Sequence, residues 1–355
     1  MAKRSFYFKD SELDDYQVKV INKKTDSSYI VKGCAGSGKS ILALWKAKQI
    51  QEQNKGSYLY VVYTRALRQY MSDGIKQVGL RESNVANFDA CFSWVKNENG
   101  ELVRSDWKKG SYDYIIVDEA QDFSQDDIEL LKSKSRKALL IYGDTAQQLY
   151  KFLKNKQTVS MEDIQYFTKF PVEQLVFNHR LPKKIARVAE YLNSERDELE
   201  ERCTEEGTIK PKILQYSSKK EQFAAIASLI KNKGMEDVGI LFRNNKDVDE
   251  AYDYFTNEGI EVEAKSHLHK DELDFTSDNP KLMTYHSSKG LQFENVFIPE
   301  CNVEGQDDRN PLYVAVTRTY SALYIMHSGN LSSFFDDVPS NLYDKSLSSG
   351  STLIL

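Results

Sequence analysis

The sequence predicts an α/β fold with mostly parallel sheets, and three observations carry that expectation. Short apolar, β-branched or aromatic runs alternate with longer helix-patterned stretches. A glycine-rich string lies between one such run and the amphipathic stretch ILALWKAKQI. A carboxylate pair closes another run, IIVDE, at the end where open α/β sheets place their ligands.

Taken in order, the first half reads as strands at 28–32, 58–63, 114–118 and 138–143, with helices beginning near Lys39, Arg65 and Gln125. The second half reads as strands near 173–177, 238–242, 282–285 and 295–299, with helices after Pro182, Ser217 and Asn245. Residues 151–170 carry no strong strand signal and read as the connection between an N-terminal domain, 1–150, and a C-terminal domain, 171–335. The Ser-rich tail, 336–355, reads as a frayed end or a small docking strand.

Composition narrows the class. The chain has 355 residues, 40% hydrophobic and 28% charged, with 17 Gly and 7 Pro, which excludes wholesale disorder and leaves room for more than one core. Its net charge of −5 means that any nucleic-acid contact must come from a local groove rather than a basic surface. No signal-like or membrane-length apolar run occurs, so a cytoplasmic protein with no membrane role is expected. Cys34, Cys91, Cys203 and Cys301 are too far apart in sequence for paired zinc spacings and suit unpaired thiols.

The string Gly33-Cys34-Ala35-Gly36-Ser37-Gly38-Lys39-Ser40 satisfies the phosphate-loop pattern in the strand-to-helix context its mechanism needs. Glycines let backbone N–H groups turn inward around phosphate, and the following helix adds its positive end. Lys39 would reach the β and γ phosphates, and the Ser40 hydroxyl would ligate Mg²⁺. Asp118 would hold the same Mg²⁺, and Glu119 would orient and deprotonate the attacking water. A lone Asp-Glu pair is more often a solvated turn, but this one follows an apolar strand downstream of a phosphate loop.

Seven strings in order give a specific resemblance: GCAGSGKS, VVYTRAL, IIVDEAQD, GDTAQQLY, LVFNHRLP, LMTYHSSKGLQFENVFIP and LYVAVTRTYSALYI. The chain resembles the UvrD/Rep family of superfamily 1 DNA helicases. The resemblance implies two RecA-like domains with ATP in the cleft between them, and a motor on single-stranded DNA travelling 3′ to 5′. It implies that Gln17 reads the adenine edge, that Gln147 senses the γ-phosphate, and that Arg180 and Arg318 reach it from the second domain. His179 stands where the family has tyrosine beside the base, and Gln292 where it has glutamate near the sugar. Tyr63, Tyr150 and Phe152 are the implied base-stacking platforms, with Thr64, Arg65, Thr284 and His286 as backbone or coupling contacts. Stacking of this kind accepts RNA as well as DNA.

Size separates this chain from the full helicases. Only 26 residues (89–114) lie between Phe88 and Ile115, and 100 (183–282) between Pro182 and Met283, so large accessory insertions do not fit. The expectation is a minimal motor core, with a protein partner to supply accessory functions. The alternative is a regulatory ATPase in a larger defence or mobile-element complex, triggered by nucleic acid without unwinding it.

Overall fold

The computed structural model describes residues 13–63, 65–144, 157–193, 198–302 and 305–347. The chain forms two compact units, Met1–Phe177 and Asn178–Leu355.

The first unit runs α1 (Asp15–Asn22), β1 (Tyr29–Gly33), α2 (Lys39–Glu52), β2 (Tyr58–Val62), α3 (Arg65–Tyr70), α4 (Ser72–Val78), β3 (Val85–Asn87), β4 (Phe92–Lys96), β5 (Leu102–Trp107), β6 (Tyr112–Val117), α5 (Gln125–Lys134), β7 (Ser135–Gly143), α6 (Met161–Thr168) and β8 (Val172–Leu175). Six strands form one sheet in the order β3-β2-β6-β7-β1-β8, every neighbour parallel. Parallel strands buried on both faces read as continuous apolar runs, which is why YLYVV and YIIV carry no alternation. Val20 of α1 and Leu42, Ala43 and Ala47 of α2 pack with Val31, Tyr60 and Ile116 of the sheet in one core.

The second unit runs α7 (Lys183–Leu192), α8 (Leu199–Arg202), β9 (Lys212–Tyr216), α9 (Lys219–Lys233), β10 (Val238–Phe242), α10 (Asn245–Asn257), β11 (Glu263–Lys265), β12 (Lys281–Thr284), β13 (Phe293–Ile298), α11 (Gln306–Val316), β14 (Thr319–Ser328) and β15 (Asp344–Leu347). Its seven-stranded sheet, β11-β12-β10-β13-β14-β9-β15, is again parallel throughout. Gly239 at the centre of β10 seats the Phe293 ring; a Cβ there would lie 2.4 Å from a ring carbon.

The α/β expectation and the parallel sheets hold in both units. Three differences from the sequence reading stand out. The strand expected at 173–177 in the second domain is β8, which pairs with β1 and completes the first sheet, so the division falls after Phe177 rather than at 151–170. Residues 161–168 of the expected connection form α6, which a Ser160–Asp163 capping box starts. The stretch between Phe88 and Ile115 holds an antiparallel hairpin, β4–β5, whose Trp94, Val95 and Leu102 are exposed. Within the tail, β15 pairs with β9 as an edge strand.

Candidate nucleotide site

The first sheet is parallel, so the carboxyl ends of its strands share one edge, and the predicted chemistry gathers there. β1 ends at Gly33 and opens the loop; β6 delivers Asp118; β7, between them in the sheet, delivers Asp144.

Two glycines in the loop are there for space and conformation. A Cβ at Gly33 would lie 2.5 Å from Ser37 Oγ and 2.9 Å from Leu175 Cβ. Gly38 adopts φ +84°, a region L side chains avoid, and a Cβ there would meet Gln17 Nε2 at 2.9 Å. Lys39, the first residue of α2, is buried; its ammonium donates to the carbonyls of Gly33 (2.8 Å) and Cys34 (2.7 Å) and lies 4.0 Å from Asp144 Oδ2. Ser37 Oγ is buried and meets no hydrogen-bond partner, an uncompensated hydroxyl inside the glycine-rich loop. That combination fits a phosphate group, which would accept from it.

Gln17 sits in the first turn of α1 and is buried. Its Oε1 accepts from the Asp14 amide (3.2 Å) and its Nε2 donates to the Ser37 carbonyl (3.1 Å). The residue expected to read adenine therefore also fastens α1 to the loop, through a capping box whose other half is Asp14 Oδ1 accepting from the Gln17 amide (2.8 Å).

Asp118 is fully buried. It accepts from the Tyr60 hydroxyl (3.0 Å), from the Glu119 amide (3.0 Å) and from the Ser40 hydroxyl, so the two predicted Mg²⁺ ligands are in contact. Burial first, then the neighbouring Glu119 charge, pushes its carboxyl up to about 6. A buried Asp118 carboxyl that resists ionisation alone, with the Ser40 hydroxyl on it, is a fitting donor set for a divalent cation, and among the described residues no cluster of three or more His, Cys, Asp or Glu competes with it. Glu119 itself holds φ +54°, ψ +45°, a left-handed conformation that costs about 1–2 kcal/mol outside glycine and that points to function when the fold enforces it.

Two participants escaped the sequence reading. Gln121 donates from Nε2 to the Glu119 carboxylate and accepts at Oε1 from the Asp144 amide (3.0 Å), bridging the acid pair to the end of β7. Tyr60 lies inside a run of five buried residues and looks like plain core until its hydroxyl is seen on Asp118. The letters QD after DEA were a signal for the first; nothing marked the second.

The remaining expectations separate by position. Tyr63, just past β2 on the loop edge, is half-buried and packs edge-on against Phe123 at 5.2 Å between centroids; burial raises its hydroxyl to about 12. Arg65 is exposed at the start of α3. Thr64, Gln147, Tyr150 and Phe152 lie outside the described residues.

In the second unit, His179 is exposed and Arg180 half-buried after Asn178, whose Oδ1 accepts from the Arg180 and Leu181 amides, both at 2.9 Å. Gln292 and Arg318 are buried and close, because the Phe293 amide donates to the Arg318 carbonyl (2.9 Å). The Arg318 guanidinium donates to Val314 O (2.8 Å) and Thr317 Oγ1 (2.9 Å). Thr284 and His286 follow β12 at the opposite edge of the same sheet. Thr284 Oγ1 accepts from the Ser287 amide and donates to its hydroxyl, and burial lowers the His286 imidazole from its ordinary value. Gln292 and Arg318 thus lie at the amino edge of the second sheet, and Thr284 and His286 at its carboxyl edge.

Two family models match these regions. One, described as an AAA domain, covers residues 17–153 and so includes Gln17, the loop, Asp118 and Glu119. The other, the UvrD-like helicase C-terminal domain, covers residues 281–326, which include Thr284, His286, Gln292 and Arg318. Residues 281–326 are thus similar to the C-terminal domain of UvrD-like helicases. A protein of Acanthamoeba polyphaga mimivirus, named conjecturally as an ATP-dependent DNA helicase, is 25% identical over 272 residues, 66% of this chain and 37% of that protein. The chain thus spans little more than a third of that relative's length. Solved structures similar to the chain include arterivirus nonstructural protein 10 (helicase), at 18% identity and TM-score 0.45, covering 92% of this chain and 63% of that one. The PRRSV helicase matches at 16% identity and TM-score 0.44, over 87% and 54%. Among the described residues, no helix is long and apolar enough to cross a membrane.

Proposed function

We propose that the chain is an ATP-driven motor on single-stranded DNA of the UvrD/Rep kind, moving 3′ to 5′. The observation that carries the reading is the joined set Lys39, Ser40, Asp118 and Glu119 at the carboxyl edge of the first sheet, in a chain whose residues 281–326 are similar to the UvrD-like C-terminal domain.

In this reading the loop amides and the Ser37 hydroxyl cradle the phosphates, and Lys39 exchanges its loop carbonyls for phosphate oxygens. Ser40 and Asp118 would hold Mg²⁺, which would supply neutralisation of phosphate charge. Glu119, aimed by its left-handed backbone and by Gln121, orients a water and takes its proton. Arg180 and Arg318 neutralise the charge that develops on the γ-phosphate, the role the family resemblance gives them. Tyr63, with Tyr150 and Phe152, offers stacking faces past which bases step. The cytoplasm is the compartment that suits such a motor.

Lys39→Ala and Glu119→Gln are each expected to abolish DNA-stimulated ATP turnover. Normal stimulated turnover in either variant would sink the mechanism. The short hairpin between Phe88 and Ile115 favours a second reading, a nucleic-acid-triggered regulatory ATPase that needs a protein partner to separate strands. A forked-duplex unwinding assay on the chain alone separates the two.

A further inference from the structure

Lys46 lies on α2, seven residues beyond Lys39, and has no solvent exposure. Its ammonium donates to the carbonyls of Ile21 (2.7 Å) and Lys23 (2.8 Å) and to Gln49 Oε1 (3.0 Å), which occupies all three donors. Gln49 Nε2 adds a bond to the Ile21 carbonyl at 3.1 Å. Ile21 and Lys23 close α1, where carbonyls lack intrahelical partners and the helix presents its negative end. Burying a charge here is costly, and the nearby Lys55 and Lys23 add repulsion, so the group is held in place by those carbonyls. A methionine would fill the same space and remove all three of the ammonium's bonds, leaving only Gln49 Nε2 on the Ile21 carbonyl.

The opposite end of α1 carries Gln17, bonded to the Ser37 carbonyl. The helix is therefore fastened at its last turn to α2 and at its first turn to the phosphate loop. We infer that Lys46 is a positioning residue for nucleotide binding: by clamping the end of α1 to α2 it holds Gln17 against Ser37 and keeps the loop in shape. The inference rests on the nucleotide site proposed above.

The test is ADP affinity of the full chain, by calorimetry, in wild type, Lys46→Met, Lys46→Arg, Gln17→Ala and the Lys46→Met/Gln17→Ala pair. Lys46→Met is expected to weaken ADP about tenfold, the loss of roughly one hydrogen bond's support to the loop. Lys46→Arg, which keeps the cation and its donors, should recover most of that. In the Gln17→Ala background Lys46→Met should add little, because the clamp acts through Gln17. A merely structural lysine would give independent, multiplying losses, and that result, or wild-type affinity in Lys46→Met, overturns the inference. Should Lys46→Met fail to fold, Gln49→Leu removes part of the same clamp and must show the same non-additivity with Gln17→Ala. Failure of the wild type itself to bind ADP would overturn the nucleotide site and the inference with it, whereas binding with additive losses overturns the inference alone.

Discussion

Asp118→Asn should make the metal-free, nucleotide-free protein more stable near pH 8, although it removes a residue the chemistry needs. The carboxyl is raised from 3.8 to about 6 by burial and by Glu119. Above pH 6 the folded chain carries an ionised group it disfavours. Between pH 6 and 3.8 the folded state takes up a proton that the unfolded state does not, so the penalty is relieved as pH falls; below 3.8 both states are protonated and it vanishes. A shift of about two units corresponds to on the order of 3 kcal/mol at 1.36 kcal/mol per unit. Asparagine keeps an acceptor for the Glu119 amide and its amide N–H can donate to the Tyr60 oxygen, but the Tyr60 and Ser40 hydroxyl protons lose the carboxylate they donated to, which offsets part of this gain. The expected outcome is a gain of about 1–3 kcal/mol at pH 8, roughly 2–12 °C in melting temperature for a unit of this size, shrinking towards zero by pH 4. Thermal and urea unfolding of both proteins in chelator, across that range, measures it. Loss of stability in the variant at pH 8, or a difference that ignores pH, would refute the electrostatic reasoning. Added Mg²⁺ and ADP should stabilise the wild type and leave the variant almost unmoved.

Other consequences follow from particular contacts. Gly38→Ala places a Cβ at φ +84° and 2.9 Å from Gln17 Nε2, so it should cost about 1–2 kcal/mol in unfolding and weaken ADP in a titration. Gly239→Ala drives a Cβ into the Phe293 ring and should destabilise by about 1–3 kcal/mol, with Phe293→Leu recovering part of the loss in a denaturant series. Arg180→Ala should lower ATP turnover while sparing ADP affinity. Arg318→Ala should do the same and also reduce stability, because its buried guanidinium caps the Val314 carbonyl; parallel kinetics and melting curves distinguish the two arginines.

The chemistry-bearing strings were legible because each is a local pattern with a local reason. Gly33 to Ser40 must turn around phosphate, and Asp118 must follow an apolar strand. Pairing between strands distant in sequence was not legible. VEQL at 172–175 reads as a strand in either unit, and only its register with Ile30–Gly33 assigns it to the first sheet. DKSL at 344–347 has no apolar run and becomes β15 only because β9 offers an edge. The hairpin β4–β5 hid in a segment read for its shortness rather than its pattern. Tyr60 and Lys46 misled in opposite ways. The tyrosine's apolar surroundings concealed a hydroxyl bonded to Asp118, and nothing in the amphipathic stretch set apart a lysine whose three acceptors allow complete burial. Arg318 was legible as a motif residue, but not its bonds to its own helix end.

The central claim is that nucleic acid drives hydrolysis at the site built on Lys39, Asp118 and Glu119. ATP turnover by the purified chain, measured without nucleic acid and with single-stranded DNA, duplex DNA or single-stranded RNA, tests it most directly, with Glu119→Gln as the blank. The account predicts strong stimulation by single-stranded DNA that the variant lacks. Turnover indifferent to every nucleic acid would contradict it.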